Sequence, residues 1–169
     1  MKVPTPFDRF IVRQYCARDF DRLWQIDQLC FPEGIAYTQM DLTGFIMKRN
    51  AITLVAETHE TLEGKRQDTA SGDRITGFVI AYRLRGQVAR IATLDILPEA
   101  RRLGLASRLM QECEQRLRAA GCVEVYLETA VNNEAALRLY RKLGYEIVRV
   151  LPEYYSSHSL DAFQMAKRI

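Results

Sequence analysis

Two spacings of hydrophobic residues divide this chain into predicted strands and helices. Apolar and polar residues alternate from Val123 to Leu127, and that period of two is typical of a half-buried strand. Leu105, Leu109, Cys113 and Leu117 recur every four residues, which places them on one face of a helix. The same spacings predict strands over residues 10–15, 51–57, 75–85, 88–97, 123–127, 145–151 and 162–168, and helices over residues 20–30, 38–48, 104–120 and 134–143.

Residues suited to caps and turns stand at several of these boundaries. Asp19, Thr38 and Asn133 precede predicted helices, where a side-chain oxygen can accept a hydrogen bond from a backbone N–H of the first turn. Gly86-Gln87 lies between two predicted strands, and a leading glycine suits a two-residue hairpin. Local chemistry therefore supports the boundaries that the periodicity predicts.

The order of the predicted elements indicates the fold class. Three successive strands in the first half of the chain imply antiparallel pairing, so a mixed α/β architecture is favoured over a doubly wound parallel sheet. Residues 59–74 are almost without large apolar side chains and are predicted to form an exposed polar excursion between two strands. A length of 169 residues suits one domain, which we expect to span residues 1–169.

Composition and charge exclude several classes of protein. A net charge of +3, without clustered basic residues, does not indicate a nucleic-acid-binding protein. No apolar run approaches the roughly 20 residues of a membrane-spanning helix, and no leader is evident, so we expect a soluble cytoplasmic protein with no membrane partner. The four cysteines lack C-x-x-C spacing and only two histidines accompany them, so no metal site is expected.

The segment from Leu94 to Met110 joins a strand to a helix through a basic loop. Pro98 ends the strand, Arg101 and Arg102 add positive charge, and Gly104 allows close backbone approach at the start of the helix. Free N–H groups at a helix N-terminus suit a phosphate. Neither G-x-x-x-x-G-K-S/T nor G-x-G-x-x-G is present, so a Walker or dinucleotide loop is not indicated. Taken alone, the loop fits solvated arginines and an ordinary helix start equally well.

A second segment, from Glu124 to Tyr145, contains two side chains suited to acid–base chemistry. Glu128 lies near the end of a predicted strand. Tyr140 lies within the next helix, on the same face as Ala136 and Leu143, and should therefore point inward. Taken separately, Tyr140 fits a core aromatic residue and Glu128 fits an ordinary surface carboxylate.

The two segments together resemble the two signatures of the GNAT acetyltransferase superfamily. Arg101-x-x-Gly104-x-Ala106 matches its pyrophosphate loop, Q/R-x-x-G-x-G/A. The run from Asn133, N-x-x-A-x-x-L-Y-x-x-x-G-Y, matches its second signature, with Tyr145 where Phe is usual. The motifs occur in the expected order on the expected elements, and the element order resembles that of the superfamily over essentially the whole chain.

Within the superfamily the sequence looks most similar to N-terminal-amine acetyltransferases, including the bacterial ribosomal-protein alanine type. It departs from them at Thr129-Ala130, where Val-Arg is common, and at residues 156–160, which replace a Gly/Asp/Glu-rich turn. These departures concern the acceptor rather than the cofactor. The likeness is carried by Cys30-Phe31-Pro32 with Tyr37, by Leu127-Glu128, and by Tyr154-Tyr155 with Asp161-Ala162 and Met165.

The resemblance implies a fold and a reaction. It implies a mixed, mostly antiparallel sheet of about seven strands, with a splayed central pair that receives acetyl-CoA and about four flanking helices. It implies direct transfer of the acetyl group to a primary amine, with Tyr140 as the acid that protonates the leaving thiolate and Glu128 as the base. The residues implied to hold acetyl-CoA are Ile96, Arg101, Arg102, Leu103, Gly104, Leu105, Ala106, Ser107, Asn133 and Ala136, and those implied to line the acceptor site are Phe31, Tyr37, Tyr154 and Tyr155.

Three hypotheses remain open for the acceptor and the activity. The first is the N-terminal α-amine of a protein or peptide, held in a groove walled by these four aromatic residues, although aromatic residues at a core edge explain them equally well. The second is a small-molecule amine, and the third is a non-catalytic acyl-CoA-binding module. The protein is expected to be a monomer or a homodimer.

Overall fold

Residues 10–58 and 74–169 are described by the computed structural model, and their strands join in one seven-stranded sheet. The strands are β1 Phe10–Gln14, β2 Ala51–Thr58, β3 Ile75–Arg83, β4 Val88–Ile96, β5 Glu124–Ala130, β6 Glu146–Tyr155 and β7 Leu160–Arg168. The helices are α1 Phe20–Cys30, α2 Gln39–Ile46, α3 Leu105–Ala119 and α4 Glu134–Lys142, with short 3₁₀ turns at Ala17–Asp19, Pro98–Ala100 and Ser156–His158.

The sheet is divided at its centre. Its strand order is β1-β2-β3-β4-β5-β7-β6, and every neighbouring pair is antiparallel except β4 and β5. Those two parallel strands pair only from Val88 opposite Glu124 to Arg90 opposite Tyr126, after which they separate. The predicted fold, a mostly antiparallel sheet with a splayed central pair and helices on its faces, is confirmed.

Helices cover both faces of the sheet. The predicted apolar stripe of α3 is fully buried on one face, where it packs with Tyr140 and Tyr145. On the other face, Leu23 and Ile26 of α1 and Leu42 of α2 are fully buried against the sheet. Each buried aliphatic side chain of this size contributes about 1.5–3 kcal/mol to folding, so the two cores hold the split sheet rigidly.

Gly77 on β3 allows the end of β4 to lie close to β3. A Cβ atom at Gly77 would lie 2.6 Å from Ile96 Cδ1 and 2.8 Å from the carbonyl oxygen of Asp95. The absence of a side chain therefore allows β4 to approach β3 closely at the point where β4 faces the gap.

The predicted cap at Asp19 is wrong. Its carboxylate makes no cap hydrogen bond to α1 but accepts hydrogen bonds from the Arg13 guanidinium, at 2.7 and 2.9 Å, and from the Cys16 N–H at 2.8 Å. A charge-assisted bidentate pair is stronger than a neutral cap bond, which explains the preference. Thr38 and Asn133 do cap α2 and α4, as predicted.

Other boundaries also differ from the prediction. The β3–β4 connection is four residues, 84–87, rather than two, although Gly86 does adopt the left-handed conformation. Strands β5 and β6 extend further than predicted, so that Tyr154 and Tyr155 end β6 instead of belonging to a loop. The predicted excursion at 59–74 lies, apart from Arg74, outside the described residues. Over residues 10–58 and 74–169, no helix has the length and apolar character needed to cross a membrane.

Candidate active site

A cavity of about 1430 Å³ opens where β4 and β5 separate. The N-terminus of α3 and the inner face of α4 bound one side of it, and the α1–α2 loop and the end of β6 bound the other. Every predicted site residue lines this cavity except Leu103, whose side chain packs on the α3 core instead. Motifs distant in sequence are therefore brought to one place.

The loop before α3 presents a row of free backbone N–H groups. Arg102 and Gly104 adopt left-handed conformations, with φ of 62° and 79°. Within the described part of the chain, the N–H groups of residues 102–107 have no hydrogen-bond acceptor, and no side chain caps the helix. Together with the positive end of the helix dipole, these donors fit a pyrophosphate. Acetyl-CoA, which carries one, is therefore compatible with this loop.

Arg101 supports the loop as well as adding charge. Its Nε donates to the carbonyl oxygen of Ile96 at 2.9 Å, and the Cys30 thiol donates to the same oxygen at 3.3 Å. This carbonyl lies at the end of β4, where the strand borders the gap. The side chain of Arg101 thus ties the loop before α3 to the end of β4.

Tyr140 presents an unpaired phenol to the cavity. The residue is only 8% exposed, and its ring contacts Tyr145 edge-on, with centroids 5.9 Å apart. Its hydroxyl has no hydrogen-bond partner among the described residues. Burial, and then the charge of Asp95, raises the pKa of Tyr140, so the group is a neutral proton donor.

Tyr145, which replaces the usual Phe of the second signature, has a structural partner. Its hydroxyl donates to Glu114 Oε1 at 2.8 Å, and Lys167 Nζ contacts the other oxygen of Glu114 at 2.6 Å. The additional hydroxyl is thus satisfied inside the core, away from the cavity.

Glu128 is held by two neighbours on the acceptor side of the split. Arg90 Nε donates to Glu128 Oε2 at 2.8 Å, and Gln164 Nε2 donates to Oε1 at 3.2 Å. The side chain of Glu128 is 9% exposed and that of Arg90 is 23% exposed. Arg90 was not among the site residues predicted from the sequence. The sequence feature that could have indicated it is a charged residue between two apolar residues, Ala89 and Ile91, in a predicted strand.

Aromatic residues from the α1–α2 loop and from the end of β6 wall the part of the cavity beside Glu128, where the acceptor is expected. The hydroxyl of Tyr37 donates to the Ala92 carbonyl oxygen at 3.2 Å, while Tyr154 and Tyr155 pack edge to face at 5.0 Å. The Ser157 hydroxyl donates to the Gly34 carbonyl oxygen at 2.9 Å and so joins the turn after β6 to the α1–α2 loop. These two connections therefore touch beside the cavity.

A pair of buried carboxyl groups lies beside this wall. The carboxyl groups of Asp27 and Asp95 are close enough to affect each other's pKa, and the oxygens Asp27 Oδ1 and Asp95 Oδ2 have no hydrogen-bond partner in the described chain. Asp27 Oδ2 accepts from the Tyr37 N–H at 2.7 Å, and the Thr93 hydroxyl donates to Asp95 Oδ1. Two carboxylates this close repel each other, which favours a proton on one of them. Burial raises the pKa of both groups, that of Asp27 to about 6.

A split sheet beside free N–H groups at a helix start and a buried neutral phenol fits an enzyme that transfers an acyl group from a coenzyme A thioester. The Acetyltransferase (GNAT) family matches residues 20–145, and the chain belongs to that family.

Individual relatives agree with this assignment. An N-alpha-acetyltransferase of Saccharolobus solfataricus is 37% identical over 161 residues, which cover 94% of this chain and 92% of the relative. The ribosomal-protein-S18-alanine N-acetyltransferase of Escherichia coli superposes with a TM-score of 0.77 at 19% identity, covering 95% of this chain and 94% of that one. Arabidopsis thaliana NAA60 in complex with acetyl-CoA superposes with a TM-score of 0.79 at 22% identity, covering 95% and 99%. The predicted family, class of enzyme and cofactor are confirmed by the family match, and the predicted fold by the superpositions.

Proposed function

We propose that this protein transfers the acetyl group of acetyl-CoA to the N-terminal α-amine of a protein or peptide. The observation that carries the proposal is the aromatic lining at one end of the cavity, formed by Tyr37 of the α1–α2 loop and by Tyr154 and Tyr155 of β6, beside a hydrogen bond that joins the α1–α2 loop to the turn after β6. An extended chain presenting only its first residues suits such a groove. Similarity to an N-alpha-acetyltransferase over nearly the whole chain supports the same acceptor.

The cofactor-binding roles follow from the free donors and from the split. The N–H groups of residues 102–107 would hold the pyrophosphate, and Arg101 would keep that loop against Ile96. The β4 edge beyond Arg90, which has no partner in β5, would pair with the pantetheine arm, with Ala136 of α4 on the opposite wall. Asn133 already caps α4 through the Ala136 N–H, so its contribution is to hold that helix start in place. When bound, acetyl-CoA supplies the thioester whose acetyl group is transferred.

Two side chains would accept and donate the protons that move during acetyl transfer. Transfer forms a C–N bond and breaks a C–S bond, so one proton must leave the amine and one must reach the sulfur. Tyr140, neutral and unpaired at the cofactor side, would donate its hydroxyl proton to the sulfur. Glu128, a carboxylate at the acceptor side, would receive the amine proton through a water molecule, because Arg90 and Gln164 already contact both of its oxygens.

The acceptor assignment is tested with matched peptides. One peptide carries a free N-terminus and an internal lysine, its partner carries an acetylated N-terminus and the same lysine, and a set of polyamines and amino acids represents small amines. Turnover is measured by the release of the coenzyme A thiol, and the acetylated position is identified by mass spectrometry. We expect acetylation only at the free α-amine. Acetylation of the small amines alone would reassign the acceptor, and acetyl-CoA binding without turnover on any of the peptides or small amines would indicate a binding module.

A cytoplasmic location stays a prediction from the sequence, as does the choice between monomer and homodimer.

A further inference from the structure

The guanidinium group of Arg90 contacts three strands at the acceptor end of the cavity. Its Nε donates to Glu128 on β5, its Nη1 to the hydroxyl of Tyr82 on β3, and its Nη2 to the hydroxyl of Tyr154 on β6, each at 2.8 Å. Arg90 stands opposite Tyr126, the last pair of residues before β4 and β5 separate. A planar group with several fixed donors can bridge three partners in this way, whereas the ammonium of a lysine is a point charge.

One consequence concerns Glu128. Because Arg90 occupies one carboxylate oxygen and Gln164 the other, the orientation of Glu128 is fixed. Without Arg90, the carboxylate would be a nearly buried charge with a single amide donor. Such a group loses its defined position in the site.

A second consequence concerns Tyr154. The pairing of β6 with β7 is interrupted between Leu151 and Tyr155, and Glu153 adopts a left-handed conformation with φ of 49°. Strand pairing therefore does not hold Tyr154, whose side chain is attached to the rest of the molecule by its bond to Arg90 and its ring contact with Tyr155. Arg90 connects this part of the acceptor wall to the centre of the sheet.

We propose that Arg90 is the positioning residue of the acceptor site, which sets Glu128 and Tyr154 in one arrangement for the incoming amine. The inference rests on the proposed function, because it assumes that the amine enters between these two residues. It assigns Arg90 no contact with acetyl-CoA, since the loop proposed to hold the pyrophosphate precedes α3 and the β4 edge proposed to pair with the pantetheine arm lies beyond Arg90. Substitution should therefore weaken use of the acceptor and leave use of the donor nearly unchanged.

A double-mutant cycle tests this directly. Arg90→Gln, Glu128→Gln and the double variant are compared with the wild type for kcat/KM toward the acceptor peptide and for KM toward acetyl-CoA. We expect Arg90→Gln to lower kcat/KM for the peptide about tenfold or more, and to cost less than about twofold further in the Glu128→Gln background, since contacting residues are not additive. The KM for acetyl-CoA should change by less than about twofold, because no interaction with the donor is removed.

Two further variants separate positioning from folding. Tyr154→Phe removes one partner without burying a charge, and we expect a several-fold rise in KM for the peptide with an unchanged melting temperature. Arg116→Gln, which breaks an Arg–Glu pair on α3 and a hydrogen bond to Gln14 on β1, outside the cavity lining, is the matched control and should leave both KM values unchanged. Arg90→Lys should restore only part of the lost activity.

The outcomes are distinguishable from failure of the proposed function. If the wild type acetylates a small amine instead of the peptide, the acceptor assignment fails, and the same cycle is measured with that amine. Additive losses in the cycle, or equal losses for donor and acceptor, would overturn the positioning role of Arg90 whichever acceptor is used.

Discussion

Asp27 on α1 and Asp95 on β4 bury their carboxyl groups beside each other, at 0% and 1% exposure, and burial raises the pKa of both. Asp27 accepts a hydrogen bond from the backbone N–H of Tyr37 in the acceptor wall, and Asp95 precedes Ile96 at the edge of the gap. The two carboxyl groups therefore lie between the α1–α2 loop and the strand that borders the gap.

We expect this pair to share one proton in the folded state, which makes stability depend on pH. The pKa of Asp27 is raised from 3.8 to about 6, so the folded protein binds this proton more tightly than the unfolded chain. The contribution to stability is therefore largest below about pH 4 and is lost as the pH rises to about 6, at up to about 1.4 kcal/mol per pH unit. Asp95→Asn keeps the shape of the side chain, and its amide N–H can donate a hydrogen bond to Asp27 without the uptake of a proton. We expect its free energy of unfolding to fall less than that of the wild type between pH 4 and pH 7.

Chemical denaturation at several pH values measures this difference. Asp21→Asn, an exposed position on the same helix, is the control and should follow the wild-type curve. Parallel curves for Asp95→Asn and the wild type would mean that no proton is shared.

The sequence predicted the elements and the motifs, but not the contacts between strands. Periodicity was sufficient for α3, and the two signatures were sufficient to bring Tyr140 and Glu128 to one cavity. Arg90 and Glu128 are 38 residues apart, and their contact follows from the register of β4 with β5, which no local pattern encodes. The same reason applies to Asp27, whose interior position on α1 gave no indication of a second carboxyl group on β4.

Tyr140→Phe removes a hydroxyl that has no partner in the protein. We expect the melting temperature and the KM for acetyl-CoA to stay nearly constant while kcat falls about 100-fold or more, because the loss of a general acid costs about that factor. Steady-state kinetics and thermal unfolding of the same preparation give both values. Unchanged turnover would remove Tyr140 from the acid role.

Tyr145→Phe is the matched comparison for Tyr140→Phe, because it removes the same hydroxyl group five residues further along the chain. Its hydroxyl bonds to buried Glu114, so its loss should cost about 1–3 kcal/mol of stability with kcat retained. Loss of kcat in this variant, at a temperature where it is folded, would contradict the separate roles of the two tyrosines.

Gly77→Ala tests whether the close approach of β3 to β4 shapes the donor site. The added Cβ would lie 2.8 Å from the Asp95 carbonyl oxygen, a backbone atom that cannot rotate away. We expect a loss of about 1–3 kcal/mol in stability and weaker acetyl-CoA binding by calorimetry, because Ile96 must shift. Gly44→Ala on α2, where nothing lies within 4 Å of the new Cβ, should instead stabilise the protein by about 0.5–1 kcal/mol. Equal binding of acetyl-CoA by both variants would separate Gly77 from the donor site.

Ser157→Ala tests whether the contact between the two acceptor loops matters for a peptide. The variant loses the hydrogen bond from the Ser157 hydroxyl to the Gly34 carbonyl oxygen, which joins the loops at an exposed position. We expect kcat/KM for a peptide acceptor to fall several-fold, since a neutral bond of this kind contributes about 0.5–1.5 kcal/mol. The KM for acetyl-CoA should not change, because the donor binds on the other side of the split. Ser156→Ala, whose side chain makes no hydrogen bond within the described residues, is the neighbouring control. If Ser157→Ala and Ser156→Ala had the same kinetics for the peptide, the loop contact would have no part in holding the acceptor.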